Sequence, residues 1–179
     1  MLKTILISLA VIVIVFVVVV ALQPAKFRVA RSVTIGAPAA VVFPHVNDLH
    51  LWQEWSPFVK LDPAAKNTFE GPAAGTGAKL SWNGNKQMGE GAMTITESRP
   101  GEFVGFLLEF KKPFEATNTA DFTFKPEGAQ TVVTWGMSGT NNFMFKAVGL
   151  FMNCDKMLGP TFEKGLADLK AVAEAEARK

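Results

Sequence analysis

Tyrosine is missing from this 179-residue chain, cysteine occurs once and histidine twice. Each shortage removes a class of chemistry. The lone thiol, Cys154, has no partner for an internal disulfide and no Cys or His at zinc-ligand spacing, so it is expected as a small buried hydrophobe. His45 and His50 stand five positions apart and do not share a helical face as paired metal ligands would; both are expected at the surface or in helix caps. Neither a metal nor a cofactor is implied. The nearest approach to a nucleophile elbow, Gly136-Met137-Ser138-Gly139-Thr140, lacks the closing glycine and reads as a strand end. Catalytic residues are therefore left unassigned. Charge excess is also scarce: the formal charge is +2, and the surplus cations, Lys3 and Lys26, flank the N-terminal apolar segment. Without a clustered basic face, nucleic acid is excluded as a partner.

What the chain has in abundance is aliphatic sequence. From Ile5 to Leu22, Ser8 is the only polar side chain. As a helix this run is about 27 Å long, close to the roughly 30 Å hydrocarbon thickness of a bilayer. A cleaved signal peptide is the competing reading, favoured by Lys3 and by Val19 and Ala21 around a cut. The run is unbroken and β-branched, which favours an uncleaved anchor. Residues 1–25 are thus expected as a transmembrane anchor with a short linker, and 26–179 as one domain. Lys3 on one side and Lys26, Arg28 and Arg31 on the other do not decide orientation. The short leading tail favours a single-pass protein with its domain on the outer, in a bacterium periplasmic, side.

After Gln23-Pro24-Ala25 the pattern switches to alternation, with Phe27, Val29, Arg31, Val33 and Ile35 on one face: a strand. A helix follows from Pro38 to about Asn47, and a short second helix ending in a packed loop is expected within Asp48–Phe58. Six strands are then expected at 67–71, 77–83, 89–98, 102–111, 114–125 and 130–139, separated by signals such as Arg99-Pro100-Gly101 and Pro126-Glu127-Gly128. Residues 142–179 return to helical period, with Gly159-Pro160 expected to kink or divide them. The fold class is α+β: a curved seven-stranded antiparallel sheet around a long C-terminal helix, a shape that leaves interior space.

Several motifs appear in order. They are Ile35-Gly36-Ala37-Pro38 with Val41, Phe43, Val46, Asp48, Trp52, Trp55 and Pro57-Phe58; then Gly75-Thr76-Gly77 with Trp82; Gly89-Glu90-Gly91 through Pro100; Thr131 to Trp135; and Gly159-Pro160 through Lys170. Covering nearly all of 27–175, they resemble the SRPBCC (START-like) superfamily, specifically its polyketide cyclase/dehydrase branch. The resemblance implies a helix-grip fold with a deep apolar cavity used to bind lipids, sterols, polyketides or plant hormones. It implies no single reaction.

Strand parity nominates the cavity lining: Leu80, Trp82, Met93, Ile95, Phe106, Leu108, Phe110, Phe122, Trp135 and Met137 from the sheet, with Phe162 and Leu166 from the helix. Glu109 and Asp121 fall on outward parity. Glu97 shares parity with Met93 and Ile95 and is the one strand carboxylate that parity leaves as a candidate polar cavity residue. So apolar a wall suits a non-catalytic binding or carrier domain for a lipid-like or aromatic molecule, tethered by residues 5–22 and taken as a monomer. Two alternatives stand beside it: a polyketide cyclase/dehydratase-like enzyme, and a structural or interaction module with a filled core.

Overall fold

The computed structural model describes every residue except 151–153. Helix α1 (Leu2–Leu22) is followed by β1 (Lys26–Ile35), α2 (Ala39–Asn47), α3 (Trp52–Trp55) and a single 3-10 turn at Val59–Leu61. Six strands come next: β2 (Lys66–Glu70), β3 (Lys79–Asn83), β4 (Glu90–Arg99), β5 (Phe103–Lys112), β6 (Ala116–Glu127) and β7 (Gln130–Thr140). Helices α4 (Phe143–Gly149) and α5 (Cys154–Glu176) complete the chain.

The turns are explained by local chemistry. Between β4 and β5 the Glu102 N–H donates to the Arg99 carbonyl (3.0 Å), Pro100 supplies the fixed φ of the first central position, and Gly101 takes the positive φ, 73°, of the second. Strands β2 to β7 are joined as an antiparallel meander, and β1 adds to its far edge on β7, giving the order β1-β7-β6-β5-β4-β3-β2. The main helical packing is α5 on β1, with α5 also against β7 and α2 and α3, and α2 on β6 and β7.

Polar groups at the helix ends are answered by side chains. Trp52 Nε1 donates to the Val46 carbonyl and Trp55 Nε1 to the His45 carbonyl, both at 2.9 Å, satisfying last-turn acceptors of α2 that lack helical partners. Arg31, the charge on the apolar face of β1, forms a bidentate pair with Asp155 and a further bond to Glu163 at 2.7 Å, tying β1 to α5. These carboxylates raise the Arg31 pKa, and the guanidinium in turn lowers that of Asp155.

Three expectations are corrected. His45 is buried rather than superficial, with Nε2 2.9 Å from Glu176 Oε2, because α2 turns that face toward the end of α5. Gly159-Pro160 does not divide the C-terminal segment: α5 runs through it, and α4 ends upstream at Gly149. Gly159 is buried, and a Cβ there would come 2.1 Å from the Arg31 guanidinium, so close packing on β1 holds this stretch despite the proline. Cys154 is half-buried against the core.

Candidate functional site: an apolar cavity

The concave face of the sheet carries two kinds of interior. Beneath β6, β7 and α5 the aromatic rings are stacked: Trp135 lies 4.2 Å from Phe162 at 8° and 5.0 Å from Phe122 at 25°. Toward β3, β4 and β5 the rings part and leave a cavity of about 310 Å³, at the lower end of the size range of small-molecule sites. Trp82 and Phe110, 5.9 Å apart and edge to face, form its outer wall.

Nine of the twelve residues nominated by parity line this space: Leu80, Trp82, Met93, Phe106, Leu108, Phe110, Trp135, Met137 and Phe162. Ile95, Phe122 and Leu166 point inward but are consumed by packing, each 1% exposed or less. Sequence reasoning missed the floor and mouth. Trp52 comes from α3, Phe58, Val59 and Leu61 from the loop and 3-10 turn after it, Leu158 from α5, Lys112 from the end of β5 and Pro113 from just beyond it. Trp52 is legible in the sequence as a core aromatic, whereas the loop around it has no period from which to take direction.

Glu97 is not in the cavity. The register of β4 on β5 slips between Ile95, opposite Phe106, and Glu97, opposite Gly105. This bulge at Thr96 reverses the parity of the rest of β4. Glu97 therefore points outward and pairs with Arg99, while Ser98 turns in and donates to Asn47 Oδ1 at 2.7 Å. Glu109 is exposed. Asp121 sits on the outer face, bonded to Arg28 at 2.8 Å.

The polar groups along the lining are Gln53, Ser56, Asn67, Gln87 and Lys112. Among the described residues of the lining there is no carboxylate, imidazole or thiol. Asn67 Nδ2 lies 3.4 Å from Gln53 Oε1, and Lys112 Nζ is drawn to Glu90 at 2.8 Å. Among the described residues no group of three or more His, Cys, Asp or Glu is arranged to hold a metal. A larger hollow of about 550 Å³ is bordered by Arg28, Thr119 and Ser138, but it is open to water, so it offers little shelter to an apolar molecule.

A strongly curved meander gripping a C-terminal helix, with an apolar hollow between them, defines the helix-grip class of α+β domains. Residues 26–174 match the family described as polyketide cyclase/dehydrase and lipid transport, and the chain belongs to that family. No curated protein sequence matches the chain significantly. Solved structures share the fold. A Thermobifida fusca protein is 22% identical with a TM-score of 0.61, over 82% of this chain and 92% of its own. A Chromobacterium violaceum protein is 15% identical (0.58; 84% and 97%). The di-domain ARO/CYC BexL of the BE-7585A biosynthetic pathway is 16% identical (0.62; 91% of this chain and 53% of that one).

Proposed function

We propose that the chain is a membrane-anchored carrier that binds a hydrophobic small molecule, lipid-like or aromatic, in the cavity between α5 and strands β3 to β5. The observation carrying this reading is a wall of tryptophan, phenylalanine, leucine and methionine that, among the described residues, includes no titratable group apart from Lys112. Such a wall favours transfer of apolar surface out of water by about 25 cal/mol per Å², and it supplies no general acid or base inside. A filled interior is disfavoured by the cavity itself. In this reading residues 26–179 form an independently folding ligand domain, and α1 holds it at the bilayer where such ligands partition. By length and composition α1 is able to cross a membrane, a description that a signal sequence shares.

The test is a titration of an environment-sensitive naphthalene or fatty-acid fluorophore into residues 26–179. Saturable binding insensitive to ionic strength is expected, since burial rather than surface charge drives it. Leu108→Asp, which puts an unpaired charge on the wall, should abolish binding in a protein still folded by circular dichroism; Glu109→Gln should leave it unchanged. No saturable binding by the unmodified domain would sink the carrier reading.

A further inference from the structure

One apolar surface is left over by the fold. Phe143, Met144 and Val148 on α4 are 51%, 61% and 44% exposed, and Phe114 in the turn between β5 and β6 is 57% exposed. They form one edge of the molecule, because Phe114 packs edge to face on Phe145 of α4 with ring centres 6.0 Å apart. The same edge receives α1. Val20 is the buried residue of that helix, α1 touches α4, and Lys146 of α4 extends its Nζ to within 3.2 Å of the Ala21 carbonyl. Only Gln23, Pro24 and Ala25 separate α1 from β1, and the Ala25 carbonyl accepts from the Asn141 N–H at the foot of α4 (2.7 Å). Whatever surrounds α1 therefore meets α4.

The cavity reaches this edge as well. Lys112 and Pro113 belong to its lining and immediately precede Phe114. Lys111 and Lys112, 66% and 71% exposed, stand beside the apolar patch, with Lys26 at the end of the linker. An exposed apolar patch with lysines beside it is a pattern of a surface that seats in the headgroup layer of a bilayer.

We propose that α4 and the β5–β6 turn form a membrane-seated face that aims the mouth of the cavity at the bilayer, so that ligand passes between lipid and cavity without crossing water. This rests on the reading of α1 as an uncleaved anchor. The occupant of the patch is the lipid of the membrane that α1 spans.

The test uses the full chain carrying Cys154→Ala, with a single cysteine introduced by Phe114→Cys, Met144→Cys, Val11→Cys or Ala129→Cys and labelled with an environment-sensitive nitrobenzoxadiazole dye. Ala129 lies in the β6–β7 turn, at the opposite end of β6 from Phe114. Each protein is reconstituted into phosphatidylcholine and phosphatidylglycerol vesicles with and without doxyl-labelled acyl chains. Quenching at least severalfold stronger at 114 and 144 than at 129, with strong quenching at 11, is the expected result. Quenching at 11 with 114 and 144 no more quenched than 129 overturns the seated face and leaves the anchor standing. A blue shift at 114 and 144 without lipid quenching also overturns it, since protein, such as a second copy, then covers the patch. Absence of quenching at 11 removes the anchor and this proposal with it.

Discussion

The two halves of the sheet obey the same alternation and end differently. Under β6 and β7 the inward residue Phe122 is packed among Trp52, Trp55 and Trp135, and Trp135 stacks on Phe162 of α5; both are buried to 3% exposure or less, Trp135 standing at the boundary where it also borders the cavity. Under β4 and β5 the equivalent residues Leu108 and Phe110 are half-buried and face space. Residue type does not separate them, for both halves are aromatic and aliphatic. The difference is placement of the helix: α5 leans on β1 and so closes one half of the concavity and leaves the other hollow. The cavity here is a core that one helix does not reach.

Substitutions can break that contrast. Phe122→Ala, in the closed half, should cost about 3–5 kcal/mol, the usual penalty for emptying a buried aromatic site, seen as a lowered urea midpoint with an unchanged slope. Gly165→Ala should cost about 1–3 kcal/mol by overpacking, since a Cβ there would meet the Trp135 ring at 2.7 Å and Pro57 at 2.8 Å and push α5 off the sheet. Phe110→Ala, in the hollow half, should change stability by less than about 1 kcal/mol because the side chain borders space already, yet weaken fluorophore binding by about tenfold; a large stability loss with unchanged affinity would mean that the hollow collapses. The smallest effect is on pH. The Arg31 guanidinium holds the Asp155 carboxyl below its ordinary range, so this pair's contribution is present above the ordinary carboxylate pKa near 4 and is lost as pH falls through the depressed folded value. Arg31→Met should therefore flatten the acid limb of a thermal-melting profile and leave neutral-pH binding unaltered.

Most of the architecture is legible in the sequence because alternation and turn chemistry are local. All six later strands fall close to the expected spans, and β1 begins where the apolar run stops. Direction is harder. Parity separates inward from outward but does not say whether an inward residue faces a neighbour or a void, which is why it nominates Ile95, Phe122 and Leu166 together with the nine that line the cavity. The bulge at Thr96 inserts one residue without any glycine or proline to announce it, so parity sends Glu97 to the wrong face. His45 reads as a surface residue because its partner, Glu176, lies at the other end of the domain's sequence. The floor of the cavity is hidden for a related reason: Phe58, Val59 and Leu61 belong to a segment with no period.

The pairing of β1 with β7 sets an order in time. Strands β2 to β7 are joined neighbour to neighbour, so each pairing closes a short loop and forms with little entropic delay. Strand β1, though the first of the seven to be made, pairs only with β7, in a register that runs from Ile35 opposite Thr131 to Lys26 opposite Thr140. It must wait for nearly the entire domain to be synthesised, and α5, which packs on it, comes later still. An anchoring α1 would emerge from the ribosome while the strand beside it has no partner. The domain would then reach lipid as an open chain and close its sheet afterwards, with the strand nearest the membrane the last to be locked.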